Sequence, residues 1–260
     1  MTKLHLALLV CDTPKPQVLE KHGDYPHMFS QAFAKAVSKQ QQQDQVSWEY
    51  FDVVHKQEYP TDTSRFDAIV LTGSAATAYQ DEPWILKLIS FIQEQMQQPN
   101  KKKLVGICFG HQIIALAAGG KCGKNPKGWE LGYYEISLTP FGKQFFHTDK
   151  QVLRLNQVHQ DHVTELPIGF QCLATTSPHT PIHSMVSNDG QCITIQGHPE
   201  FNRDTVRILL NLRADAGVIS RDFADLELGK LDQAGPDMED TWLVQQFIDF
   251  IQGKLSVQID

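Results

Sequence analysis

Cys108 lies in VGICFGHQ (105–112), and His198 and Glu200 lie in QGHPEF (196–201), the histidine 90 residues (198 − 108) after the cysteine. These three side chains offer a nucleophile, a base and an orienting carboxylate, the parts of a covalent acyl-transfer site. A free thiol is only a few per cent thiolate near neutrality. A helix N-terminus and an adjacent imidazole would both favour the anion. The apolar run KKLVGI ends at a cysteine flanked by Gly106 and Gly110, and IIALAA follows, closed by Gly119 and Gly120. That order reads as buried strand, sharp turn and buried helix, the nucleophile elbow with sulfur in place of oxygen. Pro199 biases His198 toward extended backbone. Residues i and i+2 of an extended segment share a side, so Glu200 can hold the imidazole Nδ1–H and leave Nε2 for the thiol proton.

Acyl transfer also needs donors where the carbonyl oxygen becomes negative. The elbow supplies the backbone N–H of Phe109, and the loop in VLTGSAATAY (70–79) offers Gly73 or Ser74. Cys11, Cys172 and Cys192 read as small core residues and Cys122, in GGKCGK, as a loop thiol. Histidines recur in VHQDHV (158–163) and at His179 and His183. Their spacing, with no cysteine nearby, is a weak metal signal and reads as a polar rim of the site. No cofactor or metal site is expected, and GGKCGK does not fit a phosphate loop.

The elements that must hold these groups alternate. Apolar strands are expected at 4–11, 46–54, 66–73 and 103–107, with helices at 28–37, where Asp24 could cap, and 83–96, where Pro83 falls in the first turn. Strands apolar throughout, alternating with helices, imply an α/β fold whose mostly parallel sheet is covered on both faces. After Gly120 shorter strands follow at 133–138, 152–158, 171–176 and 182–196, the last a hairpin turning at Asn188-Asp189-Gly190, a small antiparallel β extension. Helices are expected at 204–217 and 241–255. The acidic stretch 218–240 shows no clear element, and 41–45 reads as a surface loop. No repeat or long linker divides the chain, so one domain over 1–260 is expected, with 218–260 as an extension ending in a helix.

A net charge of −7 argues against a nucleic-acid partner. No apolar run reaches the roughly 18 residues of a membrane span, and LHLALLVC reads as a first buried strand rather than a signal segment. Five cysteines without tight spacing suit a reducing compartment, and the expected location is cytoplasmic.

VGICFGHQ followed by QGHPEF resembles the class I glutamine amidotransferase family from about residue 4 to 216. The resemblance implies a flavodoxin-like sheet and a Cys108–His198–Glu200 triad, with Gly73 and Phe109 where the family's oxyanion donors lie. It places Gln112 in the glutamine pocket, and VHQDHV resembles the GMP-synthase-type His-Gly-Asp motif through His159 and Asp161. Gln160 stands where that motif carries glycine, putting a side chain where family backbones approach bound glutamine. Gln160 and the opening DTPKPQV…HGDYPHMF resemble a stand-alone subgroup that includes γ-glutamyl peptidases. The activity implied is cleavage of the γ-glutamyl amide of glutamine, releasing glutamate and ammonia. The alternatives are a γ-glutamyl peptidase acting on glutathione-like peptides, another Cys-elbow protein such as a deglycase, or a non-catalytic regulatory protein that keeps the fold. No ATP-binding synthetase module is evident, so any ammonia-accepting subunit is expected to be a separate chain.

Overall fold

The N-terminal half alternates strand and helix as its apolar runs require. β1 (Lys3–Val10), α1 (Pro16–His22), α2 (Tyr25–Lys39), β2 (Gln45–Asp52), β3 (Ala68–Leu71), α3 (Pro83–Gln97), β4 (Lys103–Ile107) and α4 (Phe109–Ala117) follow one another. The second half carries β5 (Lys121–Lys124), β6 (Glu130–Leu138), α5 (Pro140–Phe145), β7 (Val152–His159), β8 (Asp161–Glu165) and β9 (Phe170–Thr175). β10 (Ser184–Ser187), β11 (Cys192–Ile195), α6 (Arg203–Asp215), α7 (Arg221–Gln233) and α8 (Asp240–Ile251) complete it. This computed structural model describes residues 3–39, 45–235 and 238–257. Of the loop expected at 41–45 only Gln45 is among them, and it opens β2.

Nine strands form one sheet in the order β2-β1-β3-β4-β11-β10-β9-β6-β7, and β5 pairs with β8 in a second, antiparallel sheet. β2 through β11 run parallel, in the flavodoxin-like order, and the strands beyond are antiparallel. The antiparallel extension therefore continues the main sheet instead of standing apart. β10 and β11 form the expected hairpin.

Strand alternation divides the core into two layers. Leu6 and Leu8 of β1, Val70 of β3 and Val105 of β4 face a layer shared with Phe33 of α2 and Phe247 of α8. Leu9, Ile69 and Leu104 face the other, against Ile85, Leu88 and Ile92 of α3 and Ile113 of α4. Strands apolar on both faces thus have helices on both faces. Asp24 caps α2, its Oδ1 accepting the His27 N–H at 2.9 Å. Pro83 begins α3 after Glu82.

Two readings change. Residues 218–240 contain α7, capped by Ser220, whose hydroxyl accepts the Phe223 N–H. Its buried Ala224 and Leu231 are separated by charged residues, which masks the helical period in the sequence. Cys122 lies in β5 rather than a loop, with Sγ 3.6 Å from the Gln112 carbonyl, and burial pushes its thiol up to about 12.

Candidate active site

Register brings the site together. Leu71 pairs with Gly106 and Ile107 with Ile195, so the residues after β3, β4 and β11 emerge side by side at the C-terminal ends of parallel strands. Open α/β sheets bind ligands at that edge. Cys108 follows β4 directly and has φ 52° and ψ −103°, a backbone conformation L-residues avoid. Such strain costs on the order of 1–3 kcal/mol and persists where the surroundings enforce it. Here they do. The Cys108 N–H donates to the Ile195 carbonyl at 2.8 Å, and the Gly110 N–H donates to the Thr72 carbonyl at 3.2 Å.

The two flanking glycines serve close packing, since neither has positive φ. A Cβ on Gly106 would sit 2.5 Å from the Gly110 carbonyl oxygen, and one on Gly110 would sit 2.6 Å from Leu71 Cβ. β3, β4 and α4 can therefore approach closely enough for the turn to form.

His198 is buried, and its Nδ1 lies 2.7 Å from Glu200 Oε1. Its ring stacks on Phe201 at 4.3 Å between centroids. Its backbone N–H donates to the Asn156 carbonyl, while Asn156 Nδ2 donates to the Phe201 carbonyl at 2.8 Å. One residue of β7 thus clamps the HPEF turn at both ends. Burial would depress the imidazole, but the Cys108 charge, the Glu200 charge and the hydrogen bond to Glu200 raise it to about 10. The sulfur, imidazole and carboxylate form one coupled group.

Gly73 fits the same corner by having no side chain. A Cβ there would lie 2.9 Å from His198 Cε1 and 3.5 Å from Cys108 Cβ. Phe109 begins α4, where a backbone N–H has no acceptor within the helix. Ser74 Oγ lies 3.4 Å from Asp12 Oδ2 and accepts the Ala76 N–H, which shapes the loop beside the thiol.

Gln196 escaped the sequence reading. Its Nε2 donates to Cys108 Sγ at 3.4 Å, and its Oε1 accepts from Gln112 Nε2 at 3.0 Å. The same Gln112 nitrogen donates to the Asp161 carbonyl at 3.0 Å. Gln196 follows the end of β11 directly, and its contact with the sulfur depends on β11 lying beside β4. Gln112 therefore reaches the sulfur through Gln196.

A cavity of about 280 Å³ adjoins Cys108, lined among others by Gln112, His159, Gln160, Asp161 and Tyr79. Tyr79 hydroxyl donates to Asp161 Oδ1 at 3.3 Å. The Gln160 carbonyl accepts the Asn125 N–H at 2.9 Å, tying the 158–163 turn to the loop after β5.

The histidines do not form a polar rim. His159 and His183 are buried, and Glu130 of β6 lies between them, 3.0 Å from His159 Nε2 and 3.6 Å from His183 Nε2. Thr176 and Thr180 hydroxyls donate to Glu130 at 2.6 and 2.8 Å. Glu130, His159 and His183 could together hold a metal ion, a set that sequence spacing did not suggest because β6, β7 and the residue just before β10 supply one side chain each. His159 Nδ1 lies 3.2 Å from the Asp161 carbonyl, so this cluster braces the cavity wall.

A doubly wound sheet with a cysteine at a strained strand-to-helix elbow and a carboxylate-held histidine defines an α/β protein of nucleophile-elbow geometry. The family described as glutamine amidotransferase class-I matches residues 24–208, and the chain belongs to it. It is 35% identical over 211 residues to a glutamine amidotransferase-like protein of Schizosaccharomyces pombe, covering 80% of this chain and 84% of that one. It is 33% identical to γ-glutamyl peptidase 4 of Arabidopsis thaliana over 88% of this chain and 89% of that one. A glutamine amidotransferase of Thermotoga maritima shares the fold, with a TM-score of 0.67 at 18% identity over 96% of this chain and 97% of that one.

Proposed function

We propose that the chain hydrolyses γ-glutamyl amides. Cys108 thiolate attacks the δ-carbonyl carbon, a C–S bond forms, and the oxyanion is met by backbone N–H groups of Gly73 or Ser74 and Phe109. The C–N bond then breaks while His198 protonates the departing nitrogen. Water adds to the γ-glutamyl thioester, His198 takes its proton, and the C–S bond breaks to release glutamate and the thiolate. Glu200 holds the imidazole, and Gln196 steadies the sulfur. Gln112, His159, Gln160 and Asp161 line the cavity assigned to the γ-glutamyl part. With glutamine the product is ammonia, passed to any separate synthetase subunit; with a γ-glutamyl peptide it is an amine.

The observation that carries this reading is the strained Cys108 beside an imidazole that sulfur and Glu200 together raise to about 10. A binding module has no use for that strain. No described helix is long and apolar enough to cross a membrane. Free cysteines without a disulfide pattern suit a reducing compartment, which favours the cytoplasm. Cys108→Ala is expected to abolish glutamate release from glutamine and glutathione, a loss of at least about 10⁴-fold, with an unchanged circular-dichroism spectrum. Residual turnover near the parent rate refutes the mechanism.

The peptidase form is favoured by a second cavity, of about 110 Å³, bordered by His198. Similarity to the Arabidopsis γ-glutamyl peptidase supports it further.

A further inference from the structure

Cys108 lies where two cavities meet. The larger, of about 280 Å³, contains the Gln112–Asp161 wall, and the smaller, of about 110 Å³, is bordered by His198, Tyr25, Phe201 and Leu209. The smaller cavity matters for the reaction proposed above, on which this inference rests. There the leaving nitrogen takes its proton from His198, so the leaving group occupies the side that His198 borders. Ammonia needs little room, since a water-sized group requires roughly 10–15 Å³ measured this way. The smaller cavity is several times larger.

Arg213 of α6 lines both cavities alongside Cys108. Its guanidinium stacks on the Trp129 ring, 4.9 Å from the centroid. Among the described residues it makes no ion pair or side-chain hydrogen bond, unlike the other arginines. Arg65 pairs with Glu49, Arg154 with Glu135 and Glu239, Arg207 with Asp232, and Arg221 with Asp215. Arg203 donates to the Gly235 carbonyl. Burial presses Arg213 below the ordinary guanidinium value, opposed by Cys108 and Tyr25. A partly desolvated cation without a counter-ion is costly, and a carboxylate relieves that cost.

Asp12, the acid in the smaller cavity, is already engaged. Its Oδ1 accepts the Thr13 N–H at 2.7 Å, and its Oδ2 accepts the Ala75 N–H at 2.7 Å. Lys15, exposed in the same lining, adds a second positive charge.

We propose that Arg213 is a specificity-determining residue that holds the carboxylate of an amino-acid or peptide leaving group seated beside His198. The Trp129 ring covers the guanidinium, and the N–H groups of Arg213, engaged by no side chain among the described residues, are free to meet a carboxylate. The favoured substrates are γ-glutamyl amides whose amine half carries a carboxylate near the scissile bond.

The test compares γ-glutamylglycine with γ-glutamylmethylamide, which lacks that carboxylate, in parent, Arg213→Gln and Arg213→Lys chains. Arg213→Gln is expected to lower kcat/KM for γ-glutamylglycine about 10–100-fold, chiefly through KM, and to change the methylamide less than about 3-fold. Arg213→Lys keeps the charge but not the planar fork, so it recovers part of the loss. It carries the test alone if Arg213→Gln does not fold, through a smaller loss confined to γ-glutamylglycine. Equal losses on both substrates, or no loss on either, overturn the assignment while parent turnover leaves the hydrolase reading standing. A parent that releases glutamate from neither amide overturns both.

Discussion

Among the described residues, two buried imidazoles each lie within 3.0 Å of a carboxylate, and they shift in opposite directions. His198 lies 2.7 Å from Glu200 and rises to about 10; His159 lies 3.0 Å from Glu130 and falls to about 4. Burial depresses both rings, and a carboxylate raises both. The neighbour decides. Beside His198 it is Cys108, whose negative form adds to Glu200; beside His159 it is His183, a second imidazole that opposes protonation. The same pair thus favours a charged imidazole next to sulfur and a neutral one next to another histidine.

The sharpest test of that contrast removes Glu200's charge and keeps its shape. Glu200→Gln is expected to lower kcat for γ-glutamyl hydrolysis about 10²–10⁴-fold, because the imidazole loses both its orienting acceptor and part of its positive shift. The sign follows from the raised value. His198 donates its proton to the leaving nitrogen, so the parent rate falls as pH rises through about 10, and Glu200→Gln moves that alkaline limb to lower pH. A pH profile of kcat/KM with the limb unmoved would detach Glu200 from His198.

A smaller effect is expected from Gln196. Gln196→Leu removes a neutral N–H donor from Cys108 Sγ and leaves Gln112 with the Asp161 carbonyl as its acceptor. One such donor to a developing anion corresponds to roughly 10-fold in rate. Slower alkylation of Cys108 by iodoacetamide at pH 7 should accompany the loss. An unchanged alkylation rate would show that the amide does not act on the sulfur.

These two sites were unequally legible in the sequence for a physical reason. Cys108, His198 and Glu200 sit in short motifs whose local geometry is set by glycine packing and, at HPEF, by a proline turn rather than the extended segment expected. Their chemistry could be read without the tertiary structure. Gln196 lay in the same motif, yet its role required knowing that β11 runs beside β4. Glu130 and His159 come from β6 and β7 and His183 from the residue before β10, and only the tertiary fold unites them. Asn156 and Arg213 were silent for the same reason, since each meets the site from a distant element. The parallel strands were legible as apolar runs, while their flavodoxin-like order followed only from the family resemblance. α7 was not legible, because charge hid its narrow apolar face.

The opposed imidazoles also predict a stability curve. His111 of α4, fully buried with Nδ1 2.6 Å from Thr194 Oγ1, is pushed down to about 3 by burial and by the neighbouring His183 and His159. Its unfolded value is near 6.5, so between pH 6.5 and 3 the unfolded chain takes up a proton that the folded chain refuses. Stability is therefore full above pH 6.5 and declines as pH falls, by up to about 1.4 kcal/mol per pH unit for this group. His159 adds to the same decline down to about pH 4. His198 acts on the other side: its contribution is complete below pH 6.5 and is lost as pH rises through about 10. His111→Asn keeps a polar partner for Thr194 and removes the titration. Between pH 7 and 5 the parent's melting temperature is expected to fall about 2–4 °C further than the variant's. Parallel melting curves across that interval would mean that the folded chain takes up the His111 proton as readily as the unfolded chain, and the depression of His111 by burial would be refuted.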